Sequence, residues 1–168
     1  MGGKYKMNNE LFQQLQKKQD ELDQFIYEKK GIKNPERLLP ETAIALQVEF
    51  NELINELPRL FKYWSSKPNN LENAIEEYID CLHFLLKLSN MLEIKEYNYE
   101  RPTKEYDLRN LIIGINNMIS RVILDRQFEK LMNHFLLFGE KCSFTMDEIV
   151  KEYNRKYIVN IERQEQGY

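Results

Sequence analysis

Apolar residues recurring at helical spacing, separated by proline-bearing breaks, most tightly limit what this chain can fold into. Phe12, Leu15, Leu22 and Ile26 share one face of a helix predicted over residues 8–30, which closes near Gly31. Pro35 and Pro40 bracket a connector, and Pro40 suits the first turn of a helix over residues 41–64. Pro58 falls late in that stretch and should bend or divide it. Residues 65–70 read as a turn and 71–93 as a third helix, followed by a loop over 94–104 that contains Pro102. Helices over 105–125 and 127–140 follow, each apolar on one face. Thr145 and Glu148 form a capping-box pattern for a last helix beginning near Met146. Composition agrees: 21 leucines and 21 glutamates stand against four valines and three threonines, a mixture that favours helix over sheet. The expectation is one all-α domain spanning residues 1–168, of five to six helices with a four-helix-bundle-like core and a tail at about 153–168.

The net charge of −3 offers nothing to a nucleic acid polymer or an anionic membrane. No apolar run approaches the roughly 20 residues that span a bilayer. The opening residues lack a secretory apolar stretch, and Lys6 stands where a myristoylation signal would place Ser or Thr. Cys81 and Cys142 lie far apart with no CxxC spacing, which suits a reducing cytoplasm rather than a disulfide framework or zinc site.

In the second helical stretch, Glu49, Glu52 and Glu56 recur at i, i+3 and i+7, bordering the apolar face formed by Leu46, Leu53, Leu57 and Leu60. In the third, Glu77 and Asp80 stand at i and i+3 beside Ala74, Cys81 and Phe84. Two helices presenting such acids to each other would make an all-oxygen site for a hard divalent cation such as magnesium, with positions left for phosphate oxygens. Spacing alone also fits solvated helix faces. The wider pattern is more specific. Glu49-Phe50-Asn51-Glu52 followed by Glu77-Tyr78-Ile79-Asp80 resembles the ExxE…ExxD signature of the all-α, MazG-like nucleotide pyrophosphohydrolases. Phe61-Lys62-Tyr63-Trp64, then Glu77 through His83-Phe84, resembles the dimeric dUTPases within that superfamily. The resemblance implies a homodimer in which Glu49, Glu52, Glu77 and Asp80 bind Mg2+.

Gln19 and Asp23 fall inside the apolar stripe of the first helix, with Gln16 at its edge. Buried polar groups need partners, either a neighbouring helix, water or a ligand. Gln19-Asp20-Glu21-Leu22-Asp23 is similar to the dUTPase motif Gln-x-x-Leu-Asn, which implies that Gln19 and Asp23 contact uracil. Asp23 departs from the Asn of many members. An ionised Asp only accepts hydrogen bonds; that suits uracil N3–H but leaves the base carbonyls in need of donors, and the amino group of cytosine offers an alternative partner. His83 could bond the sugar 3′-hydroxyl, though it also fits an ordinary helix-surface histidine. Phe84, four residues from Asp80, could pack over the ribose and exclude a 2′-hydroxyl. Trp64 reads more readily as a core anchor than as a stacking platform.

Lys156, Asn160, Arg163 and Gly167 are spaced i, i+4, i+7 and i+11 along the last helix if it continues, with Tyr153 and Gln164 beside that edge. Spacing alone fits a solvated basic helix end. The run through Gly167-Tyr168 resembles the C-terminal dUTPase motif, which implies that Lys156, Asn160 and Arg163 hold the triphosphate. The function implied is hydrolysis of dUTP, and of dUDP, to dUMP, with pyrophosphate released from dUTP. Glu52, with Glu49 beside it, is the candidate catalytic carboxylate. A pyrophosphohydrolase of another nucleotide such as dCTP, and a non-catalytic helical interaction module, are the alternatives.

Overall fold

A computed structural model describes residues 6–167; the first five residues and Tyr168, which closes the C-terminal motif, lie outside the described residues. Six α-helices account for the architecture, and no strand occurs among the described residues. Helix α1 (Asn9–Lys30) is capped by the Asn8 side chain, which accepts from the Leu11 N–H. It ends at Gly31, whose φ of 65° lets its N–H reach back to the Glu28 carbonyl. A 3-10 turn over Pro35–Leu38 leads into α2 (Leu39–Asn55), with Pro40 in its first turn as expected.

Helix α2 is shorter than its pattern suggests. Pro58 ends the α-helix before Trp64, and the chain passes into a 3-10 turn over Pro58–Leu60. A proline in the helix interior removes one N–H and clashes with the carbonyl four residues back, so the chain tightens instead. The Asn70 N–H then bonds the Glu56 carbonyl at 2.9 Å, which closes residues 57–69 into a loop. The aromatic run lies outside the core: Tyr63 is 94% and Trp64 68% exposed, so Trp64 is no core anchor.

Helix α3 (Leu71–Met91) is the central element. It packs against α1, α2, α5 (Phe128–Lys141) and α6 (Met146–Glu165). Ala74, Tyr78, Leu82, Leu85 and Leu86 are fully buried along it. Tyr78 stacks on Phe135 at 4.2 Å between ring centroids. Helix α4 (Leu108–Asp125) covers α2 and α5. It starts three residues later than its pattern suggests, because Asp107 serves as its cap and accepts from the Asn110 N–H. Ile115 and Ile119 of α4 are core residues, whereas Ile113 is 68% exposed. The reciprocal Thr145–Glu148 capping box is present at the start of α6. That helix runs without a break to Glu165 and lays its buried face, Ile149, Tyr153 and Lys156, against α1 and α3. No helix of the described residues is long and apolar enough to cross a membrane.

Candidate active site

The packing of α2 along α3 brings the acids of the two helices together. Carboxylate oxygens of Glu49, Glu52 and Glu77 all lie within 4.8 Å of one another. Burial, then the charges of Asp80, Glu52 and Glu77, pushes Glu49 up to about 7. Glu77 is raised as well, by burial and then by Asp80. Asp80 is also raised, because its burial outweighs its bond to Lys156. Glu52 is the exposed member. Such a group holds more negative charge than its surroundings balance. Its donor set is all oxygen, and a hard divalent cation would relieve the repulsion. The residues therefore fit a hard divalent cation.

Asp80 is held from the opposite side. The Lys156 ammonium of α6 donates to Asp80 Oδ2 at 2.6 Å and lies 3.9 Å from Glu76. Lys156 is only 9% exposed. It thus has a carboxylate partner inside the fold, so Lys156 does not belong to a solvated basic helix end. The last helix is thereby anchored to the acidic site itself.

Beside the acids lies a cavity of ≈ 280 Å³. Gln19, Leu22, Asp23 and Ile26 of α1 line it, with Glu49 of α2. Asp80, His83, Phe84 and Lys87 of α3 complete it with Asn160, Arg163 and Gln164 of α6. The fold thereby gathers Gln19, Asp23, His83, Phe84, Asn160 and Arg163 around one space that also touches two of the acids. A larger cavity of ≈ 400 Å³, lined by Ile54, Leu60, Phe61, Tyr63, Ile112 and Ile113 with Arg59 and Arg109, carries no carboxylate. The smaller one holds the groups capable of chemistry.

The polar stripe of α1 is paired inside the protein. Gln19 Oε1 lies 2.7 Å from His83 Nδ1 and 3.1 Å from the Tyr153 hydroxyl, while Gln19 Nε2 donates to Asp23 Oδ1 at 3.2 Å. An amide oxygen only accepts, so His83 carries its proton on Nδ1. Burial, with Lys156 nearby, pushes His83 down to about 3, so the ring is neutral and its Nε2 is a bare acceptor. That Nε2 is buried and makes no hydrogen bond. His83 is therefore not a surface histidine: it is 6% exposed and stacks on the Tyr153 ring at 4.3 Å. Lys87 Nζ sits 3.5 Å from Asp23 Oδ1, and burial still lifts Asp23 to about 6. Lys87 is the charged pocket residue that the motifs do not mark. Its signal is positional, at i+4 from His83 and i+7 from Asp80.

An all-helical scaffold that sets an acidic cluster beside a pocket with basic groups at its rim suits an enzyme acting on a nucleoside polyphosphate. The sequence model of the dUTPase family matches residues 11–168, nearly the whole chain, so the protein belongs to the all-α dUTPases, hydrolases that cut the diphosphate linkage of dUTP. No curated protein matches the chain closely enough to count as a relative.

Proposed function

We propose that the protein is a magnesium-dependent dUTP diphosphatase, converting dUTP to dUMP and pyrophosphate and accepting dUDP as well. The observation that carries this reading is the convergence of Glu49, Glu52 and Glu77 within 4.8 Å, beside the cavity where α1, α3 and α6 meet. Glu49, Glu52 and Glu77, joined by Asp80, would hold the cation. A divalent ion there supplies Lewis acidity and neutralises charge on the phosphates. Glu52, the exposed acid, accepts the proton of the attacking water, and Glu49 fixes its position. Gln19 and Asp23 face the base. The bare Nε2 of His83 accepts from the 3′-hydroxyl, and Phe84 packs where a 2′-hydroxyl would lie. Lys156, Asn160 and Arg163 hold the phosphate chain, with residues 153–168 forming the phosphate-binding end of the domain; this requires Lys156 to exchange Asp80 for phosphate oxygen.

The working unit in this reading is a homodimer in the cytoplasm. Ile44, Val48 and Ile113 are 64%, 49% and 68% exposed. They flank the point where Gln47 of α2 donates to Asn116 of α4, which makes an apolar area for a second copy. Hydrolysis of dUTP, the four common deoxynucleoside triphosphates and UTP, followed with and without magnesium, tests the assignment. Magnesium-dependent release of dUMP supports it, and turnover of dCTP in preference to dUTP would replace it.

A further inference from the structure

We propose that Lys87 is a specificity-determining residue that reads the base together with Gln19 and Asp23, the three presenting a donor–acceptor–donor edge complementary to uracil. The inference rests on the reading of the α1–α3–α6 cavity as the nucleotide site. Uracil shows two carbonyl acceptors with the N3–H donor between them. An aspartate accepts from N3–H but gives nothing to either carbonyl. Two donors must therefore accompany Asp23, and the structure brings two to its carboxylate.

The first donor is fixed by the pairing of Gln19. Its Oε1 is taken up by the protonated Nδ1 of His83 at 2.7 Å and by the Tyr153 hydroxyl at 3.1 Å. This turns the amide so that Nε2 points to Asp23, at 3.2 Å from Oδ1. One amide hydrogen serves Asp23, and the second would donate to a base carbonyl in the cavity that Gln19 lines. The other donor is Lys87, whose ammonium lies 3.5 Å from the same Oδ1 with its side chain only 15% exposed. The Tyr27 ring, 5.1 Å from Nζ, backs the ammonium. A lysine carries three N–H bonds, more than one carboxylate oxygen absorbs. The ammonium and the amide both converge on Oδ1, which leaves Oδ2 to accept N3–H.

A cytosine edge is donor, acceptor, acceptor. Its bare N3 would face the Asp23 carboxylate, lone pair against lone pair, and its amino group would face a donor. A site built to hydrogen-bond one pattern discriminates strongly against a ligand that leaves its buried polar groups unpaired. Asp23 in place of an amide therefore does not relax base selection, because Lys87 restores the missing donor.

The test separates the donor from the charge. Lys87→Gln and Lys87→Met both remove the cation beside Asp23, but only Gln keeps an N–H. Binding of the α,β-imido analogues of dUTP and dCTP is measured by calorimetry with magnesium, for wild type, Lys87→Arg, Lys87→Gln and Lys87→Met. The expected order of dUTP-over-dCTP preference is wild type and Arg highest, Gln lower and Met lowest. Met should lose about tenfold or more, the worth of a hydrogen bond to a charged group. Equal preference in Gln and Met, or a wild-type preference retained in Met, would overturn the role and leave Lys87 a counter-ion. If the wild-type protein binds neither analogue, the nucleotide reading of the cavity falls together with this one.

Discussion

At the scale of single residues, crowding of carboxylates around a single lysine, Lys156, distinguishes the site. Glu49 is held up to about 7 from an ordinary value of 4.5, so between those values the folded metal-free protein binds a proton that the unfolded chain releases. Stability contributed this way is present below about 4.5 and is lost as pH rises through 7. Glu49→Gln does not titrate there. Its thermal midpoint without metal should therefore rise relative to wild type between pH 5 and 7.5, while hydrolysis is abolished. Near-normal turnover in this variant would remove Glu49 from the site. Phe84 borders the cavity one turn beyond Asp80. Phe84→Ala should raise the kcat/KM of UTP relative to dUTP, and an unchanged ratio would return Phe84 to an ordinary packing role. Much of this residue layer was legible because Gln19, the acids, His83 and Arg163 belong to motifs whose spacing survives in one dimension. The Lys156–Asp80 bond was not, since it joins residues 76 positions apart and has no local signal. Lys87 was missed because a single lysine on an amphipathic helix looks like any solvated one.

At the scale of elements, α6 separates the residues that pack into the core from those that reach the cavity. Its buried residues are Met146, Ile149, Tyr153 and Lys156, and none of residues 160–167 is buried. Its last turns carry Asn160, Arg163 and Gln164 to the cavity rim. Truncation after Val159 should therefore cost roughly 1 kcal/mol of stability or less, as for surface changes. Activity should fall at least about tenfold through the loss of charged phosphate contacts. Denaturant unfolding beside steady-state kinetics checks both, and full turnover in the shortened protein would reduce the basic edge to a solvated helix end. Helix identity was readable from period and end signals: Gly31 stands where α1 stops and the Thr145–Glu148 pair where α6 starts, whereas the pattern places the start of α4 near Glu105 and misses its Asp107 cap. The end of α2 was less readable. Its apolar spacing continues through Leu57 and Leu60, and both residues do pack inward, but from a 3-10 turn rather than from α-helix. Periodicity reports which side chains turn inward and does not by itself report the backbone that carries them.

At the scale of the whole molecule, α3 explains why one chain can be both stable and charged at its centre. Its apolar face is closed by α1, α2, α5 and α6, while Glu77 and Asp80 emerge on the edge where α2 and α6 approach. The exposed Ile44, Val48 and Ile113 suit a second copy, so Ile113→Asp should shift the protein from dimer to monomer in light scattering. A variant that stays dimeric would place the interface elsewhere. The central claim is that the acids of α2 and α3 form a metal-dependent site for dUTP. Thermal unfolding of wild type and of Asp80→Asn, each titrated with magnesium in the presence of the non-hydrolysable dUTP analogue, tests it most directly. The wild-type midpoint should climb with magnesium concentration as ligand binds the folded state, and the variant's midpoint should stay nearly flat. Equal shifts in the two proteins, or none in the wild type, would contradict it.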